Sequence, residues 1–145
     1  MRRLLAAALL VFLTSGAQRP PEEGVRFRPI DVFVDAGDAP LAAYQVEIAS
    51  SSPDARIVGV EGGESQQYAA APYYDPAALQ GGRIIIAAFT TEAEPPSGRT
   101  RVARIHMQEA AGAEPAYTAR LMAAAAPGGG GIEAKVEPVP SGGQR

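Results

Sequence analysis

The sequence predicts an all-β domain that folds as a two-sheet antiparallel β-sandwich of jelly-roll or immunoglobulin-like type. Short segments alternate apolar and polar residues with period two, which is typical of half-buried strands. Gly, Pro, Asp and Ser separate these segments, as they do at turns. The segments number about seven to nine, as expected for such a sandwich, and only one stretch carries the boundary signals of a helix.

An N-terminal signal peptide is predicted over residues 1–17. Arg2 and Arg3 supply the positive start that export signals need. Residues 4–13 form an unbroken apolar run, and residues 15–17 are small enough for cleavage. The run is shorter than the roughly 20 residues of a membrane span, and the chain has no cysteine to carry a lipid. We therefore expect a secreted, periplasmic or cell-surface protein with no membrane insertion after cleavage.

Composition narrows the classes of partner. The chain has 145 residues, a formal net charge of −3 and 46% hydrophobic residues, which suits one domain with an apolar core. Nucleic acids and anionic membranes are bound by clustered Lys and Arg. Because the net charge of this chain is negative, neither is expected as a partner. Exported domains of this size often rely on disulfides, but without cysteine the core must supply the stability.

The first half of the chain contains three predicted strands. Residues 18–24 are polar and Pro-rich and predict an extended lead-in. The sandwich is assigned to residues 25–126. Within it, alternation predicts strands at residues 30–35, 41–49 and 56–61.

The second half begins with one predicted helical turn, for which Asp75 is the N-cap, Pro76 the first helical residue and Gly81 the stop. Residues 83–90 are apolar on both faces and are interpreted as a central strand buried between layers. The remaining elements are strands at residues 100–108 and 117–124, and a Gly/Pro-rich tail at residues 127–145 with a candidate last strand at 132–136.

The strand pattern over about residues 30–124 resembles that of cohesin-like domains. Residues 32–35, 40–48 and 56–63 resemble their opening strands, and residues 83–89 and 102–107 are similar to later ones. These domains belong to a superfamily of jelly-roll sandwiches that also includes certain carbohydrate-binding modules. The resemblance implies a noncatalytic receptor surface for a protein module or a polysaccharide.

Catalysis is not expected. His106 is the single histidine and is predicted to point outward from its strand, so it is a poor base for a nucleophile. Ser65 and Ser97 lack the sequence pattern of a nucleophile elbow. Four carboxylates are candidates for paired acid–base chemistry, but in a chain with 16 acidic residues they are more simply solvated or turn-forming groups. They are Asp31, Asp35, Glu61 and Asp75.

Two candidate binding features remain. Asp35 and Asp38 are candidate calcium ligands in one loop, although a hydrogen-bonded turn explains them more simply. Tyr68, Tyr73 and Tyr74 are candidate ligand-binding residues for a sugar. Alternatively, these tyrosines pack the loop over one open end of the sandwich, with each hydroxyl reaching water.

These observations predict an exported noncatalytic binding module that recognises a protein or a polysaccharide. The alternative is a structural subunit of an envelope or extracellular assembly, in which exposed strand edges pair with neighbours. No cofactor is expected other than the candidate calcium ion.

Overall fold

A computed structural model describes residues 24–142 as a sandwich of two four-stranded antiparallel sheets. The predicted fold class is therefore confirmed. The predictions for residues 1–17 and 18–23 lie outside the described residues. The eight strands are β1 (Val25–Asp35), β2 (Ala43–Ser50), β3 (Arg56–Gly62), β4 (Tyr73–Tyr74), β5 (Arg83–Phe89), β6 (Arg99–Ala110), β7 (Tyr117–Ala125) and β8 (Lys135–Pro140).

Sheet A has the strand order β3-β6-β1-β8, and sheet B has the order β4-β5-β2-β7. Only the connection from β4 to β5 stays within one sheet, so nearly every turn carries the chain from one layer to the other. None of the helical turns within residues 24–142 has the length and hydropathy of a membrane-spanning helix.

The core lies between the sheets and consists of the inward residues of each strand. In β1, Ile30, Val32 and Val34 are fully buried, as their alternation predicts. Met107 belongs to the inward row of β6, the neighbouring strand of sheet A. Sheet B contributes its inward residues to the core in the same way. The inward residues of β2 and β5 are Tyr44, Val46, Ile48, Ile84 and Ile86.

Strand β5 is buried on one face only, so the interpretation of residues 83–90 as a strand covered on both faces was wrong. Ile84 and Ile86 face the core, whereas Phe89 is 65% exposed. A two-layer sandwich has a single buried interface. An apolar strand within it must therefore leave its second face at the surface.

The predicted helical turn is present as a 3-10 turn over Pro76–Ala78, but it is capped at Leu79 and so ends before Gly81, the predicted stop. The Asp75 carboxylate accepts a hydrogen bond from the Ala77 amide at 2.9 Å, as an N-cap does. Pro76 occupies the first helical position, where a missing amide hydrogen costs nothing.

A last strand exists, but it occupies Lys135–Pro140 rather than residues 132–136. Ile132 bonds to the Ala124 carbonyl, and the ladder with β1 begins at the pair of Lys135 and Asp35. The first apolar residues after the glycine run therefore cover the gap between the sheets before the chain joins sheet A. The tail thus contributes a fourth strand to that sheet.

Candidate functional site

The outward residues of sheet B form a surface, called here the sheet B face, with an apolar patch around Tyr73 and Phe89. Strand register places Tyr73, Ala87, Gln45 and Ala123 in one row across all four strands. The adjacent row consists of Phe89, Ala43 and Ala125. Because side chains in neighbouring strands stand side by side, these residues form one continuous patch.

The patch is shallow and bounded by two large aromatic side chains. Tyr73 is 73% exposed and Phe89 is 65% exposed. Between them lies an open depression of about 270 Å³ whose floor is mostly alanine. The small side chains keep the floor flat, so the two rings rise above it.

A charged cluster borders the patch further along the same strands. The Glu47 carboxylate accepts a hydrogen bond from Arg83 on β5 and lies 3.5 Å from the Arg120 guanidinium on β7. The hydrogen bond from Arg83 is the main reason that the pKa of Glu47 lies below its ordinary value. Glu47 is paired with two exposed arginines, so this cluster carries an excess of positive charge.

The structure separates the three candidate tyrosines. Tyr68 is buried, its hydroxyl donates to the Leu41 carbonyl at 2.6 Å, and burial raises its pKa to about 12. Its ring meets Tyr44 edge-on, with the ring centroids 5.3 Å apart. Tyr74 is half-buried against the core, which leaves Tyr73 as the one exposed member of the set.

This separation has a local cause. Adjacent residues of a strand point to opposite faces, so the two-residue β4 sends Tyr73 outward and Tyr74 inward. Tyr68 packs into the core as predicted by the packing alternative, but its hydroxyl binds a backbone carbonyl rather than reaching water.

The candidate calcium loop is a hydrogen-bonded turn. The Asp35 carboxylate accepts a hydrogen bond from the Gly37 amide at 3.0 Å, and Gly37 has φ of 57°. This is an Asx turn, which uses one carboxylate oxygen of Asp35. Asp38 is exposed nearby, and residues 24–142 contain no group of three or more acidic or histidine side chains suited to a metal ion.

Two of the four candidate acid–base carboxylates, Asp31 and Glu61, lie on the outer face of sheet A, where basic side chains contact them. His106 Nε2 is 3.1 Å from a Glu61 carboxylate oxygen. Asp31 lies 2.7 Å from Arg104 and 3.5 Å from Arg101. Burial alone would raise the pKa of Asp31, but the hydrogen bond from Arg104 and the nearby positive charge lower it on balance.

One buried ionic cluster was missed from the sequence. Glu109 is 2% exposed, lies 2.6 Å from Arg26 and accepts a hydrogen bond from the Tyr117 hydroxyl. Burial and this hydrogen bond raise the pKa of Tyr117. Period two continues the inward row of β6 from Met107 to Glu109, so alternation already contained the signal.

Phe89 was also missed as a surface residue. In β5 it stands two residues beyond Ala87, opposite in phase to the buried Ile84 and Ile86, which is the signal that would have found it.

The chain matches no family model, no curated protein and no solved structure.

Proposed function

We propose that this chain is an exported, noncatalytic, cohesin-like binding module that recognises a protein partner through the sheet B face. The observation that carries the proposal is the exposure of Tyr73 and Phe89 above a flat alanine floor. Aromatic side chains dominate the energetics of protein interfaces, and a contiguous apolar patch on a soluble domain marks an interaction site.

A protein fits this surface better than a polysaccharide. A glycan platform would gain from several aromatic rings in a row, but Tyr68 and Tyr74 turn toward the core, leaving Tyr73. Phe89 offers apolar area without a hydroxyl to bind sugar. A flat apolar floor with a charged border is the usual composition of a protein interface, in which a polar rim surrounds an apolar centre.

A structural subunit is the second candidate, and one observation favours it. Strand β4 pairs only with Ala87 and Ile86, so within residues 24–142 most of that edge of β5 has no strand beside it. An open edge can accept a strand from a neighbour. In this alternative the module joins an assembly through backbone hydrogen bonds rather than through the sheet B face.

A retention assay tests the proposal. The purified chain is immobilised and exposed in parallel to a panel of polysaccharides and to the secreted protein fraction of the source organism. We expect retained protein that is lost in a Tyr73→Ser, Phe89→Ser double variant. Phe27→Ser is the matched control, because Phe27 is 63% exposed on the outer face of sheet A.

Each result of the retention assay leads to a different conclusion. Retention of a glycan that depends on Tyr73 would replace the protein partner by a polysaccharide. Protein retention that the double variant does not reduce would remove the sheet B face from the proposal. Retention of neither class would favour the structural subunit.

A further inference from the structure

Charge is distributed unevenly along the strands of the sheet B face. Arg83 and Arg120 lie at one end, around the shielded Glu47. Glu92 lies exposed just beyond β5 at the other end, beside the depression that Phe89 and Ala125 line. The face therefore carries two exposed arginines at one end, called here the basic end, and Glu92 at the other, called the acidic end, with the apolar patch between them.

We propose that the protein partner of this face is a second copy of this chain, docked face to face about a two-fold axis that crosses the strands. The inference rests on the proposed function, because it assigns the partner of the same surface. An axis of this kind reverses the strand direction, so the basic end of each copy meets the acidic end of the other. An axis parallel to the strands would instead bring arginine against arginine, which is unfavourable.

Strand register gives the contacts that this arrangement makes. With the axis along the row of Tyr73, Ala87 and Gln45, each residue of that row meets itself in the second copy. Phe89 and Ile85 each lie two residues from Ala87 in β5, on opposite sides of the axis. The rotation therefore places Phe89 of one copy over Ile85 of the other. The loop with Glu92 then comes to Arg83, four residues to the other side of Ala87.

Covering Glu47 leaves no bare charge in this interface. The axis places Ala43 of the second copy over Glu47, which already has two arginine partners within its own chain. Arg83 and Arg120 keep side-chain exposures of 62% and 65%, so their remaining donors are free for the acidic end of the copy. Guanidinium groups carry five donors, and Glu47 uses few of them.

The area of the face indicates a weak dimer. Three strands of about seven residues and the two-residue β4, spaced about 4.8 Å apart, give a face of about 370 Å² per copy, or about 740 Å² in the pair. Stable interfaces bury about 1,200–2,000 Å² in total, and smaller ones belong to transient complexes. We therefore expect association that is visible only at high protein concentration.

Sedimentation velocity of the purified chain from about 10 μM to about 1 mM tests the inference, since this range brackets weak association. We expect the mean sedimentation coefficient to rise with concentration and Phe89→Asp to remain monomeric throughout. Phe27→Asp, on sheet A, is the matched control and should associate like the parent chain. Circular dichroism of each variant verifies that it is folded.

A charge exchange tests the direction of the axis. In a Glu47→Gln background, which leaves no carboxylate against Arg83, Arg83→Glu and Glu92→Arg should each weaken association at least about threefold, the size of a modest exposed charge pair. The double variant Arg83→Glu, Glu92→Arg should recover association, because the opposite charges again face each other across the two copies. Failure of the double variant to recover, with both single variants weakened, would overturn this axis.

The chain has no native cysteine, so a single introduced thiol reports the central contact. Tyr73→Cys should be joined to Tyr73→Cys of a second copy by a short bismaleimide reagent, whereas Phe27→Cys should not. A sedimentation coefficient that is constant up to about 1 mM would overturn the second copy as partner. It would leave the proposed function intact, because retention of another secreted protein by the same face is measured separately.

Discussion

The two outer faces of the sandwich are built on the same strand geometry but differ in how many of their side chains are engaged within the chain. On sheet A most polar side chains contact one another, as Arg104 does with Asp31 and His106 does with Glu61. Phe33 on that face lies under the Arg99 guanidinium, 3.5 Å from the ring centroid. On sheet B the patch around Phe89 has no such cover within residues 24–142.

The difference indicates a division of roles between the sheets. The polar groups of sheet A are already engaged, so a partner binding there would have to replace existing contacts. The apolar patch of sheet B forms no contacts that a partner must first break. Burying it therefore releases free energy at about 25 cal/mol per Å², which makes it the more favourable surface for association.

The largest expected effect tests whether a carboxylate inside the sandwich contributes more to the free energy of unfolding than a carboxylate on its outer surface. Glu109→Ala removes the buried carboxylate that Arg26 and the Tyr117 hydroxyl contact, so the free energy of unfolding should fall by about 3 kcal/mol. Glu137→Ala is the control. Glu137 is 62% exposed and pairs with Arg99, so its loss should cost less than about 0.5 kcal/mol. Urea unfolding measures both, and equal costs would contradict the distinction.

The next effect tests the tight edge of sheet A. A Cβ at Gly62 would stand 2.1 Å from the Ala69 carbonyl oxygen, which is backbone and cannot turn away. Gly62→Ala should therefore destabilise the fold by about 2 kcal/mol. Gly130→Ala, where a Cβ meets nothing within 4 Å, should be nearly neutral. A fully stable Gly62→Ala, judged by thermal unfolding, would show that the loop at Ala69 moves freely.

The two outer-face phenylalanines give a direct comparison of the sheets. Phe33→Ser removes a ring that is partly covered by Arg99 and should cost about 1 kcal/mol. Phe89→Ser removes a ring that is 65% exposed and should cost less than about 0.5 kcal/mol. Denaturant midpoints measure the two costs. A cost for Phe89→Ser as large as that for Phe33→Ser would mean that Phe89 serves the fold rather than a partner.

The smallest effect concerns acid. Asp31 has a lowered pKa, so it binds its proton more weakly in the folded chain than in the unfolded chain. The contribution of Asp31 to stability is fully present above about pH 4, the pKa of an aspartate in an unfolded chain. It is lost as the pH falls from there through the lowered pKa of the folded chain. Asp31→Asn should therefore flatten the acid limb of a plot of unfolding free energy against pH. An unchanged slope would show that other carboxylates govern acid unfolding.

The strand pattern of the sequence by itself determined the class of fold and much of the core. Ile30, Val32 and Val34 alternate in the sequence and are buried in the structure, because a strand presents successive residues to opposite faces. The capped turn at Asp75 was also predictable, since its hydrogen bond joins residues two apart in the chain. Local chemistry is sufficient for both features.

Only the tertiary structure decided which residues share a surface. Tyr68, Tyr73 and Tyr74 are close in sequence, yet one enters the core, one lines it and one faces outward. Phe89 joins Tyr73 because β5 pairs with β4 in a particular register, and sequence periodicity does not contain that register. The sheet B face is therefore a product of long-range strand pairing, whereas the strands themselves are products of local pattern.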